Sequence, residues 1–182
     1  MSRVPNFIVG LAALFVSVAA TSQEAGPGPA APAPTLSYAF SVEVEVAPAI
    51  EQGESDGGRR RFIAITGGKV FGPKLQGVVL PGGGDWQTIM PTGLTKILAR
   101  YFLKTDDGTV IEITNPGVRV ATPEIIDRIS NGEDVDPSLY YFRTSPQFRV
   151  PAGKFDWMQK SVFVARGTRH PDQVIIDYYI VE

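Results

Sequence analysis

Three consecutive glycines, Gly82 to Gly84, deliver a carboxylate and an indole side by side at Asp85 and Trp86. Glycine is favoured where a chain needs positive φ or where another group must come close to its backbone. The stretch therefore reads either as a demanding β-turn or as the lip of a pocket. In an apolar pocket the ionised form of Asp85 is disfavoured unless a cation sits near it. Arg100 and Arg143 are the candidate partners, each set in an apolar or aromatic run (ILARYFL and LYYFRT). An arginine so placed either faces solvent or is buried and paired, because an unpaired buried charge is costly. If all three face inward, a carboxylate lies between two guanidiniums that can grip an acidic or polyhydroxylated ligand in bidentate fashion. The competing reading is an Arg–Asp–Arg network that pins strand register. Side-chain parity leaves both open, since one bulge in glycine-rich strands reverses every side chain.

Trp86, Tyr101, Tyr141 and Trp157 are the aromatic complement, with core packing as the plain alternative for each. Tyr140 and Tyr141 are adjacent, so a regular strand turns one in and the other out. Tyr141 shares its face with Arg143, where a phenol could act as an acid or an oxyanion donor. The candidate catalytic set is Asp85, Arg100, Tyr141 and Arg143; Trp86, Tyr101, Trp157 and a rim residue, Asp106, complete the ligand-binding set. Asp106 and Asp107 have a sufficient role in a hairpin turn, where Asp tolerates the geometry. With no cysteine and a single histidine, His170, in a loop before Pro171, neither a metal site nor a catalytic triad is expected, and no cofactor is implied. The glycines lack a following Gly-Lys-Ser/Thr and open a strand rather than a helix, so they are not a phosphate cradle.

The whole chain of 182 residues carries 17 Lys plus Arg against 19 Asp plus Glu, a net charge of −2. That balance offers no basic field for nucleic acid. The basic cluster Arg59–Arg61 follows the acidic, glycine-rich EQGESDGG and reads as a solvated hairpin tip and the start of the next strand. Arg3 and the apolar run Phe7–Ala20 read as a secretory leader, residues 1–20, cut after Ala20. The run is short for a membrane span, so no stable membrane insertion is expected after cleavage. Residues 21–35 form a Pro/Ala-rich spacer, and the folded domain is expected over 36–182. Location in the periplasm or outside the cell follows, with a small-molecule ligand as partner and homo-oligomerisation left open.

What must position these residues is a series of short strands. Leu36–Ala47 alternates, with Tyr38, Phe40, Val42, Val44 and Val46 on one face. Arg61–Thr66 follows, broken by Gly67-Gly68; then Val70-Phe71, Leu75–Leu80 and Asp85–Met90. Thr95–Thr105 and Thr109–Asn115 flank Asp106-Asp107-Gly108, a strong hairpin signal, and Asn115-Pro116-Gly117 reads as a turn. Thr122 caps one short helix, with Pro123 at its first position and Gly132 closing it. Leu139–Thr144, Phe148–Val150, Phe155–Ala165 and Val174–Val181 complete the set. About nine or ten short strands without crossover helices predict an all-β, single antiparallel β-barrel, because closure hides every edge. A barrel of this size can hold one small ligand in its mouth.

The chain also resembles the bacterial family known as DUF3237 or UPF0311. GGRRRFIAITGGKVFGPKLQGVVLPGGGDW at 57–86, ARYFLKTDDGTVIEITNPGVR at 99–119, YYFRTSPQF at 140–148 and FDWMQKSVFVARGTR at 155–169 carry the resemblance. It implies a compact antiparallel barrel similar to the calycin or lipocalin outline, and no general activity. Trp157-Met158-Gln159 departs from the family's usual Trp-Leu-Asn, where a longer amide would shift any ligand contact. The expected function is binding of a small organic molecule in the barrel mouth. The alternative is a cofactor-independent isomerase, cyclase or lyase with Asp85 as acid or base.

Overall fold

Antiparallel strands take up most of the described residues, 31–182, of the computed structural model. The expected leader, and the spacer up to residue 30, lie outside the described residues. The strands are β1 (Leu36–Val46), β2 (Ile50–Ser55), β3 (Gly58–Phe71), β4 (Gly77–Ile89), β5 (Leu94–Thr105), β6 (Val110–Val120), β7 (Tyr141–Thr144), β8 (Gln147–Arg149), β9 (Phe163–Arg169) and β10 (Gln173–Val181). Eight of them close on themselves in the order β1-β10-β9-β7-β6-β5-β4-β3, with β3 pairing back to β1. The two extra strands are β2, a hairpin extension of β3, and β8, which pairs with β6. Closure satisfies the edges of the eight barrel strands, as the count of short strands requires.

Several expected breaks are bulges inside longer strands. β3 runs through Gly67-Gly68 and slips register between Ile65 and Lys69. β4 runs through Pro81–Gly84 and slips against β5 between Leu80 and Gly84, so the triple glycine is neither the start of a strand nor the lip of a pocket. Its small residues have a packing cause. A Cβ on Gly84 would lie 2.1 Å from the Phe62 ring, and one on Gly83 would lie 2.6 Å from the Arg100 carbonyl oxygen. β6 likewise passes straight through Asn115-Pro116-Gly117, held by pairing to β5 along its whole length. Phe155–Ala165 is not one strand: a 3-10 turn, Asp156–Gln159, precedes β9. A slip between Tyr38 and Phe40 turns Tyr38 outward, away from the Phe40 face.

The helix α1, Pro123–Ser130, forms as its signals require: Thr122 Oγ1 accepts from the Ile125 amide at 3.4 Å, and Pro123 occupies the first turn. Eight residues cannot hold a helix alone, so its stability comes from Ile129, which joins Ile97, Val135, Tyr140 and Phe142 in a small apolar cluster. A larger cluster fills the rest of the barrel. There Phe40 stacks on Tyr178 with centroids 4.8 Å apart, and burying one such ring contributes about 1.5–3 kcal/mol.

Candidate functional site

Asp85 reaches the barrel interior because β4 regains regular alternation after its bulge, turning Asp85, Gln87 and Ile89 to the inner face. The same two-residue rule brings Arg61, Ile63 and Ile65 inward from β3, and Ile97, Ala99 and Tyr101 from β5. β6 contributes Asn115 and Arg119, β7 Phe142 and Thr144, and β9 Arg169. All of these except Ile89 and Arg61, which stands behind Gln87, line a cavity, partly open to solvent, with about 30 Å³ for the centres of water molecules. It is walled by residues of both apolar clusters, so the α1 side of the barrel forms one of its boundaries.

Its polar groups are wired from one side. Arg61 Nε donates to Gln87 Oε1 at 2.9 Å, which fixes the Gln87 amide so that its nitrogen donates to Asp85 Oδ2 at 2.5 Å. Asp85 Oδ1 is shut off from solvent and has no partner. Burial pushes the Asp85 carboxyl above its ordinary range; the Gln87 hydrogen bond and the charges of Arg119 and Arg61 pull it part of the way back. Burial also lowers Arg61 and Arg119, each to about 10; the charges of Arg59 and Arg169 lower Arg61 further, and those of Arg61 and Arg169 lower Arg119 further.

The arginines differ in what they have left to give. Arg169 spends Nη1 on the Gln173 carbonyl at 3.0 Å and Nη2 on the Pro171 carbonyl at 3.1 Å, so it holds the β9–β10 turn. Arg119 is fully buried, with Nε and Nη2 both without partners. Those two N–H groups lie along one edge of the planar guanidinium, the edge that meets a carboxylate in bidentate fashion. Asn115 Oδ1 and Thr144 Oγ1 are also buried and unpartnered. Beneath them Tyr101 and Tyr178 share a hydroxyl–hydroxyl bond of 2.9 Å, and Asn115 Nδ2 donates to Tyr178 at 3.4 Å. One shared bond uses one phenolic proton of two. Orphaned buried polar atoms cost about 1–3 kcal/mol each, and five of them belong to residues that line this one cavity.

Of the sequence-expected residues, only Asp85 and Tyr101 line this cavity. Arg100 faces out and pairs with Glu112 at 3.1 Å, because β5 alternates without a bulge and Ala99 and Tyr101 take the inner face. Arg143 lies outside, over the Tyr141 ring at 4.9 Å; Tyr140 is the inward tyrosine of the pair and Tyr141 is exposed. Trp86 is exposed against Phe62, with centroids 5.0 Å apart. Trp157 packs on Phe163, and Gln159 is exposed and bonded to the Val150 carbonyl, so the departure at 157–159 does not touch the cavity. Asp106 is exposed at the hairpin tip, where Asp107 does the turn's work by accepting from Thr105 and Thr109. Arg61, read as part of a solvated tip, is buried in the barrel wall. Sequence reasoning missed Arg61, Gln87, Asn115, Arg119, Thr144 and Arg169. The phase was available: Arg61 is in step with Ile63 and Ile65, and Arg119 with Ile111 and Ile113, once Asn115-Pro116-Gly117 is kept in the strand.

The family model described as "Protein of unknown function (DUF3237)" matches residues 34–181. The chain belongs to the DUF3237 family. Among DUF3237 relatives, a UPF0311 protein of Clostridium acetobutylicum is 43% identical over 67% of this chain and 77% of its own length. One of Bradyrhizobium diazoefficiens is 40% identical over 75% of this chain and 89% of its own length. A crystal structure of a conserved protein of unknown function from Rhodopseudomonas palustris superposes with a TM-score of 0.79 at 37% identity, covering 84% of this chain and all of that one. A β-barrel-like protein of Acinetobacter baumannii gives 0.71 at 37% identity, over 87% of this chain and all of that one. The DUF3237 barrel is thus shared well beyond this chain.

Proposed function

We propose that this barrel binds a small organic anion, its carboxylate or equivalent oxyanion seated on Arg119. The observation that carries the reading is the unpartnered Nε/Nη2 edge of a fully buried arginine in the wall of a cavity that Asp85, Gln87, Tyr101, Asn115, Thr144 and Arg169 also line. Arg61, Arg119 and Arg169 outnumber Asp85, so the interior field favours an anion even with Asp85 ionised. The aliphatic remainder of the lining suits a carbon skeleton. Calorimetric titration with a panel of small mono- and dicarboxylates tests it. The expected result is saturable binding that Arg119→Gln weakens about tenfold or more, the scale of a lost charged hydrogen bond; unchanged binding in that variant would remove Arg119 from the role.

A second reading is favoured by the state of Asp85. A carboxyl with a raised pKa and one unpartnered oxygen, on a residue that lines the cavity, is suited to proton transfer. In a cofactor-independent isomerase, cyclase or lyase, Asp85 would carry the proton and Arg119, rather than Arg100 or Arg143, would hold the developing negative charge. Asp85→Asn should then abolish turnover with the circular dichroism unchanged. Export is proposed with either reading; a mature N-terminus after Ala20, found by mass spectrometry of the periplasmic or extracellular fraction, is the expected result.

A further inference from the structure

The unpartnered atoms of the cavity specify more than an anion. Arg119 Nε and Nη2 can only donate, and Asp85 Oδ1, when ionised, can only accept. Asn115 Oδ1 also accepts, its amide nitrogen being turned to Tyr178, while Thr144 Oγ1 can do either. With Asp85 ionised, a plain carboxylate on Arg119 would leave the acceptors of Asp85 and Asn115 empty and would set two carboxylates in one small space. A neutral polyol would answer Asp85 but leave the guanidinium edge without its charge partner.

We infer that the ligand is a small hydroxycarboxylate with an apolar substituent, its carboxylate on the Arg119 edge and its hydroxyl donating to Asp85 Oδ1. The inference rests on the anion-binding reading above and names its ligand class. Hydrogen phosphate shares the pairing of an oxyanion with an O–H donor. It has no carbon skeleton to meet Val44, Ile63, Ile65 and Ile176, which line the same cavity, so the organic acid fits better. The acceptor role of Asp85 is set from behind: Arg61 orients Gln87, and the Gln87 amide takes up Oδ2, leaving Oδ1 for the ligand.

That arrangement makes Asp85→Asn a role-reversing test. The Gln87 amide nitrogen would hold the new side-chain oxygen at the Oδ2 position, so an NH₂ donor would replace the free acceptor at Oδ1. The probes are 2-hydroxyisobutyrate, isobutyrate, 2-methylpropane-1,2-diol and inorganic phosphate, titrated calorimetrically into the purified protein and the variant. The hydroxy acid is expected to bind about tenfold or more tightly than isobutyrate, and both diol and phosphate more weakly still. In Asp85→Asn the hydroxy-to-deoxy ratio should fall to near one, with binding of isobutyrate retained or improved. Should that variant fail to fold, the wild-type ratio between hydroxy acid and isobutyrate decides alone. Equal binding of those two acids, or a full ratio surviving in Asp85→Asn, would overturn the hydroxycarboxylate assignment and leave anion binding intact. Phosphate as the tightest probe would overturn it in favour of an inorganic anion. No binding of any anion would overturn both.

Discussion

At the scale of single residues, Arg119 is where a structural network and a binding site make different predictions. If its charge existed to hold the barrel together, its hydrogen bonds would be made; Nε and Nη2 are instead unpartnered. Replacing a buried, poorly paired ion with an apolar side chain of similar volume is often neutral or stabilising by about 1–4 kcal/mol. Arg119→Met should therefore unfold at the same or higher denaturant concentration than the parent while losing anion affinity. A stability loss of about 3 kcal/mol or more would instead mark Arg119 as a structural pair. Asp85 makes a complementary prediction through pH. Its folded pKa is raised, so from the unfolded value of 3.8 upward the folded state holds a proton that the unfolded chain has released. Its contribution is most favourable below that value and is lost as pH climbs through the folded pKa. Unfolding free energies measured across that range should decline less steeply for Asp85→Asn than for the parent.

At the scale of elements, the bulge in β4 is what aims Asp85, and the Gly84–Phe62 contact fixes the bulge. Gly84→Ala places a methyl 2.1 Å from the Phe62 ring, and forcing such a group into a packed site costs about 1–3 kcal/mol. Chemical denaturation should register that loss, with Gly82→Ala disturbing no neighbour and straining only a backbone at φ 103°. The thinnest seam of the barrel lies between β7 and β9, where only Arg143–Arg166 and Thr144–Ala165 pair. Two exposed arginines stand directly opposite there, and like charges across a strand pair are destabilising. Amide exchange should be fastest among barrel strands at this seam, and Arg166→Glu should stabilise the protein by about 0.2–1 kcal/mol and slow it.

For the molecule as a whole, the closed sheet couples the cavity to global stability. The polar groups of the interior come from β3, β4, β5, β6, β7, β9 and β10, so an occupant bridges most of the barrel at once. A ligand that binds only the folded state adds about 2.7 kcal/mol at a hundredfold excess over its Kd. Calorimetric scans with a bound hydroxy acid should show a Tm that climbs with ligand concentration in the parent, and a much flatter response in Arg119→Met.

Period-two apolar patterning, the Asp106-Asp107-Gly108 hairpin, the Thr122 cap and the family motifs were sufficient for an all-β barrel with one helix, and the Gly82–Trp86 stretch singled out Asp85, which lines the cavity. Those features are local: each depends on a residue's own conformational preference or on neighbours two to four positions away. The partners of Asp85 are not local. Arg100 carried the right chemistry and sits on the outer face, whereas Arg119 and Arg61 gave no local sign beyond their phase with Ile113 and Ile63. Whether glycines at 67–68, 83–84 and 117 break a strand, bulge it or continue it depends on the ring or backbone packed against them. Glu43 at Gly68, Tyr101 at Gly83, Phe62 at Gly84 and Arg143 at Gly117 supply those contacts from other strands. A one-residue slip reverses every side chain that follows, so only barrel closure decided which arginines share the interior with the carboxylate.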